Sequence, residues 1–211
     1  MNKTEIYTVG HSTHSVEYFI ELLQEYAINC IVDVRSIPAS SYNPQFNKAA
    51  LSFLLKKHHI IYLHFPEEFG ARHNDPNLLD EDGKVDFEKV RQSDNFKQGV
   101  DRLKKGLEKG YKIALMCSEA EPFDCHRFAM ISTYLNQIGF EVKHILKDKS
   151  VKSNIQLENQ LLKKYDKKIP KPNIFEPEIT IESQLAFAYK LRNKEIAYSP
   201  FSKIEFEEEQ L

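Results

Sequence analysis

Residues 112–127 read KIALMCSEAEPFDCHR, and the fold turns on this stretch. Ile113 to Cys117 is a short, uninterrupted apolar run, the pattern of a strand buried on both faces. A loop with Glu119, Glu121 and Pro122 follows. Asp124 is placed to cap a helix that opens near Cys125-His126-Arg127 and continues through Phe128, Ile131, Tyr134 and Leu135. A buried strand thus delivers a thiol and a carboxylate to its carboxyl end, opposite a thiol, an imidazole and a guanidinium. The carboxyl ends of parallel strands are where open α/β sheets bind ligands.

The same alternation extends in both directions. Ile6 to Val9 reads as a strand ending at Gly10-His11-Ser12, and Cys30 to Val34 as one ending at Arg35-Ser36. Ile60 to Phe65 and Val142 to Leu146 complete a set of five. Amphipathic helices fall between them: one capped by Ser15, then about 48–57, then Phe96 to Glu108 ahead of Gly110, and one stopped by Gly139. A further helix is expected from Ser153 to Lys164. The pattern predicts an α/β fold, a mostly parallel sheet of five strands or slightly more with helices on both faces, a Rossmann-like three-layer sandwich.

Residues 70–95 are polar and read as a long surface excursion. Residues 1–168 form the α/β domain. Residues 169–211, opened by Ile169-Pro170-Lys171-Pro172, form a C-terminal extension. Phe175, Leu185, Phe187, Tyr189 and Leu191 are too many apolar groups for a free tail, so it is expected to pack on the domain, with only the acidic end from Glu205 frayed.

The totals exclude some functions. A net charge of -2 speaks against a strongly basic nucleic-acid binder, so nucleic acid is the less favoured partner. No window approaches the roughly 18 consecutive apolar residues of a membrane span, and the polar start MNKTE lacks a signal-peptide core. Three cysteines, an odd number, do not suggest a disulfide framework. No membrane association and a cytoplasmic location are expected. The chain has no Walker loop, no G-x-G-x-x-G and no H-E-x-x-H, and the sequence points to no particular cofactor.

The polar residues at strand ends make up the candidate site. Asp33, Cys117, Glu119 and His126 are candidates for the chemistry, and His11, Ser12, Arg35, Gln45 and Arg127 for substrate contact. Cys117 admits three readings: a nucleophile, a metal ligand with Cys125, His126 or His11, or a small buried residue at a strand end. The C-x7-C-H spacing matches no familiar zinc motif, so no metal site is assigned. Asp33 reads as a catalytic carboxylate or as the partner that orients Arg35. Arg127 reads either as an anion grip at a helix start or as the internal partner of Asp33 or Glu119. Phe46 reads chiefly as core.

Several stretches together resemble the bacterial and archaeal family called domain of unknown function 488. They are Thr8-Val9-Gly10-His11-Ser12, Val32-Asp33-Val34-Arg35-Ser36, Asn43-Pro44-Gln45-Phe46-Asn47, Glu68-Phe69-Gly70 and Cys117-Ser118-Glu119-Ala120 with Cys125-His126-Arg127. Ala188-Tyr189 and Ile196-Ala197-Tyr198 resemble the tails of some members. Ala71 departs from the pattern, standing where a second glycine is expected. The resemblance implies an α/β fold and no activity. The residues themselves suggest an enzyme acting on an anionic or nucleotide-like ligand. The competing readings are a non-catalytic module binding nucleic acid or a small anion, and a thiol- or metal-responsive sensor.

Overall fold

The computed structural model describes residues 4–201. Its sheet has six strands: β1 (Glu5–Gly10), β2 (Cys30–Asp33), β3 (Ile61–His64), β4 (Ile113–Cys117), β5 (Glu141–Ile145) and β6 (Val151–Ser153). They lie in the order β3-β2-β4-β1-β5-β6. The first five are parallel, and β6 pairs antiparallel with β5.

Strand side chains alternate between two cores, one on each face of the sheet. Cys30, Val32, Ile113, Leu115 and Cys117 join one, and Ile31, Ala114 and Met116 the other. The second face is covered by α1 (Val16–Glu25) and α2 (Lys48–Lys57), through Phe19, Leu23, Leu51 and Leu55. The first face is covered by α5 (Asp94–Glu108), α6 (Thr133–Gln137), α7 (Asn154–Lys164) and α8 (Ile181–Ile196). The three layers are those expected from the sequence. Ser15 caps α1 by accepting from Tyr18 N at 3.2 Å, and Ser153 and Gln156 close a capping box on α7. Gly139 ends α6 with φ of 98°, a left-handed conformation that a side chain would disfavour.

Three expectations need correction. The stretch 70–95 is more than a surface excursion. A short helix, α3 (Pro66–Phe69), comes just before it, α4 (Phe87–Gln92) lies within it, and it buries Leu79, Val85, Phe87 and Val90 in the core. These apolar residues are isolated among polar neighbours, so no run announces them. Asp124 caps nothing: it ends a 3-10 turn (Pro122–Asp124), and its carboxylate pairs with Arg192 of α8. The helix that follows begins instead as a π turn (Arg127–Ser132), in which the Ser132 and Thr133 hydroxyls donate five residues back to the Arg127 and Phe128 carbonyls. Finally, the extension docks through Ile169 and α8, not along its whole length. Ala188, Tyr189 and Arg192 are buried there, while Phe175 is 92% exposed. The acidic end from Glu205 lies outside the described residues. Among the described residues, no helix is long and apolar enough to cross a membrane.

One buried histidine makes a pH prediction. His144 is fully buried on β5, its Nδ1 accepting from Thr8 Oγ1 at 2.8 Å and its Nε2–H donating to Asn154 Oδ1 at 3.3 Å. Burial, with the nearby Arg127 charge, pushes its pKa down to about 3. An unfolded imidazole titrates near 6.5, so the unfolded chain takes up the proton first as pH falls. This contribution to stability is complete above about pH 6.5 and is lost at about 1.4 kcal/mol per pH unit below it. Histidine-resolved NMR is expected to show the His144 ring still neutral at about pH 5. A ring that protonates near its ordinary value of about 6.5 would overturn this.

Candidate functional site

Two polar constellations lie side by side at the carboxyl ends of β1, β2 and β4. The first is internal. The Asp33 carboxylate, wholly buried, accepts from Arg35 N (3.1 Å), Arg35 Nε (2.9 Å) and Arg35 Nη2 (2.6 Å), and from the Tyr62 hydroxyl (2.6 Å). Burial and the Asp33 charge push the Tyr62 hydroxyl pKa well up, which keeps it a donor. Arg35 Nη2 also donates to Phe46 O at 2.8 Å, and Arg35 Nη1 to His11 Nε2 at 3.1 Å. The His11 ring stacks on Phe46 with centroids 4.3 Å apart and donates from Nδ1 to Ser12 O. Burial pushes its pKa down to about 4. The neutral ring is thus held between two fixed groups.

The second constellation floors an open crevice of about 310 Å³, which is lined by Arg35, Ser36, Arg72, Cys117, Ser118, Glu119, Asp124, Cys125, His126, Ile196 and Tyr198 among others. Cys117 is the last residue of β4, and the 3-10 turn folds the chain back so that Cys125 and His126 return to it. Glu119 Oε2 lies 2.8 Å from Cys117 Sγ and 3.0 Å from Cys125 Sγ. His126 Nδ1 lies 3.8 Å from each sulfur, and His126 Nε2 donates to Val34 O at 3.2 Å. Glu119 is an exposed residue, yet its carboxylate reaches both thiols. Burial pushes the Cys117 thiol well up. Cys125 is held well below the usual range: burial opposes this, but the Cys117 hydrogen bond and the Arg127 and His126 charges outweigh it. Burial also pushes the Glu119 carboxyl up.

The loop carrying Glu119 is fixed from two sides. Arg127 is completely buried, and its fork donates to Glu119 O (2.6 Å) and Ala120 O (2.9 Å). From beneath, Gly10 lets the loop pass close to β1: a Cβ there would stand 1.9 Å from Glu119 O. Gly10→Ala is therefore expected to push the loop outward and destabilise the fold by about 1–3 kcal/mol or more. Chemical denaturation checks this, and a variant as stable as the parent would show that the loop yields freely.

The sequence-derived candidates therefore divide. Cys117, Glu119 and His126 come together with Cys125 on the crevice floor, and Arg35 lines the crevice wall while anchoring the internal network. Asp33 and His11 lie in that network, as the orienting reading of Asp33 expects. Ser12 takes a left-handed turn and bonds to Ser118 O through its N–H, and Gln45 donates to His14 O; neither lines the crevice. Arg127 pairs with neither the Asp33 nor the Glu119 carboxylate, and its fork is occupied by the main-chain carbonyls of Glu119 and Ala120. The N–H groups at that helix start are also occupied: Arg127 N donates to Cys125 Sγ at 3.4 Å, and Phe128 N and Ala129 N to Cys125 O. Arg72 and Tyr198 were not legible as site residues. Arg72 lies in the polar stretch after Gly70, and its guanidinium stands 5.5 Å from the Tyr198 ring centre.

The family model for the domain of unknown function DUF488 matches residues 15–135, more than half of the chain. The chain belongs to this family. No curated protein and no solved structure matches it. The DUF488 match runs from α1 to α6 and contains the whole crevice floor. Gly10 and His11 precede it, and Ile196 and Tyr198 follow it.

Proposed function

We propose that this DUF488 protein is an enzyme of a reducing compartment, and that its crevice takes a small anionic ligand such as a phosphate ester. One observation carries the reading: two guanidinium groups, Arg35 and Arg72, border a crevice whose floor holds two thiols, a carboxylate and an imidazole. Arg35 is braced by Asp33, so its place in the crevice wall is fixed, while the carboxylate offsets its charge and leaves Arg72 as the main attraction for an anion. Arg72 is exposed and free to close on an anion, its main chain pinned by donation from N to Ser36 Oγ at 3.0 Å. The floor groups supply acid, base and nucleophile within reach of the held ligand. A merely structural role for the floor would not require a mouth open to solvent.

Titration with inorganic phosphate and nucleoside monophosphates tests the reading. The parent is expected to bind at least one of them, more weakly as salt rises. Arg72→Ala is expected to weaken that binding about 10-fold, the low end for an exposed charge-assisted contact, with melting unchanged. Across a panel of phosphate esters, Glu119→Gln is expected to abolish turnover while retaining binding. A parent that binds none of these anions, or an Arg72→Ala variant that binds like the parent, would refute the proposed ligand class. Binding without any turnover would instead favour a non-catalytic module.

A further inference from the structure

The geometry points to a metal site: we infer that Cys117 Sγ, Cys125 Sγ, His126 Nδ1 and the Glu119 carboxylate bind one zinc-class divalent ion. This inference rests on the floor geometry alone, stands whether or not the crevice binds an anion, and replaces the direct acid, base and nucleophile roles proposed for these four groups with metal ligation.

Four observations carry it. The first is convergence. One donor atom from each of the four side chains lies within 4.8 Å of the other three. Zinc bonds of about 2.3 Å to sulfur and about 2.0–2.1 Å to nitrogen or oxygen imply tetrahedron edges of roughly 3.4–3.8 Å. The two sulfur–nitrogen separations are both 3.8 Å, and the sulfur–oxygen separations of 2.8 and 3.0 Å need only a small outward shift of Glu119. Glu119 is an exposed residue, which leaves room for that shift.

The second is tautomer. His126 Nε2 donates to Val34 O, so Nδ1, 3.8 Å from each sulfur, is the ring nitrogen placed to bind a metal once its proton is released. A ring nitrogen anchored to a main-chain carbonyl is the usual outer support of a histidine ligand. The third is support of the sulfur: Arg127 N–H donates to Cys125 Sγ, a contact that suits a thiolate. The fourth is donor chemistry. Two thiolates and an imidazole select zinc, or cobalt as its substitute, over magnesium or calcium. On binding, both metal–sulfur bonds are made to thiolates, and the Cys117 S–H proton leaves to solvent.

This donor set also explains why the spacing looked unfamiliar. A zinc knuckle places its cysteines on one tight turn, whereas here a strand end and a returning 3-10 turn bring the sulfurs together. If water or a substrate atom displaces Glu119, three protein ligands remain, with an open fourth position and a carboxylate beside it.

The test uses the full-length protein, stripped of metal and held in phosphate-free buffer, so that its outcome is independent of anion binding. Titration with Co(II) is expected to give one equivalent per chain, with cobalt–thiolate charge-transfer absorption and the strong visible bands of tetrahedral cobalt. Zn(II) is expected to displace it. Cys117→Ser and Cys125→Ser are each expected to weaken binding by more than the roughly 100-fold that losing an outer-shell partner costs. Cys30→Ser, whose thiol lies within β2, is expected to change nothing. Both thiols are buried, so their loss also bears on folding, and X-ray absorption on the zinc-loaded parent provides a separate reading. A shell of two sulfurs and two nitrogen or oxygen atoms supports the site. A shell without sulfur, no stoichiometric binding, or cobalt spectra unchanged in the Cys117→Ser/Cys125→Ser double variant would overturn it.

Discussion

Arg127→Met is expected to lower folding stability by about 3–6 kcal/mol, the loss of two hydrogen bonds from a charged donor at about 1.5–3 kcal/mol each. The side chain is completely buried, and its two guanidinium contacts, to Glu119 O and Ala120 O, hold the loop over β1. Methionine fills part of the space but donates nothing, so both carbonyls lose their partner away from water. Arg127→Lys keeps the charge but not the planar fork, and one ammonium cannot serve both carbonyls in the same geometry; an intermediate loss is expected. Urea unfolding of both variants gives the answer. A methionine variant within about 1 kcal/mol of the parent would show that the carbonyls find other partners. The result also bears on the sequence-level alternative: an arginine that serves the loop costs stability when lost, while an anion grip would cost affinity alone.

The second large effect is expected at Asp33. Asp33→Ala leaves the Arg35 guanidinium, 6% exposed, without its carboxylate and takes the acceptor from the Tyr62 hydroxyl. Removing one partner of a buried ion pair costs about 3–5 kcal/mol. The double variant Asp33→Ala/Arg35→Leu is expected to recover much of that loss, because no uncompensated charge remains. Recovery separates the cost of an orphaned charge from the value of the pair itself. If the double variant is no more stable than Asp33→Ala, the contacts of Arg35 with Phe46 O and His11 matter more than the pair does.

The sheet was legible because its central strands are buried on both faces. Ile6 to Val9, Cys30 to Asp33 and Ile113 to Cys117 show as apolar runs with little to confuse them. β6 was not, because its three residues are half-buried, include Lys152, and lead straight into the cap of α7. The floor was half legible. A sequence shows that Cys117, Glu119 and His126 follow a buried strand, but not that a turn closes the distance between them. It also cannot tell whether an arginine at a helix start faces solvent, a ligand or a carbonyl. Arg127 has the composition of an anion site and the surroundings of a brace, and only the path of the Glu119 loop decides between them. Arg72 and Tyr198 escaped because each gains its role from a neighbour remote in sequence.

The crevice is assembled on two scales of chain separation. Its floor comes from one short stretch, Cys117 to His126, while its mouth is drawn from Arg35 and Ser36, from Ala71 and Arg72, and from Ile196 and Tyr198 far downstream. Closing a short loop costs little chain entropy and a long one somewhat more, so the floor is the cheaper half to assemble and the mouth depends on the docked α8. Tyr198 is held there by its own carbonyl, which accepts from Val85 N at 2.9 Å. On the proposed function, reactivity and admission then rest on separate parts of the chain. Substitutions at Arg72, Ile196 or Tyr198 are expected to retune what enters while leaving the donor cluster and the sheet beneath it unaltered.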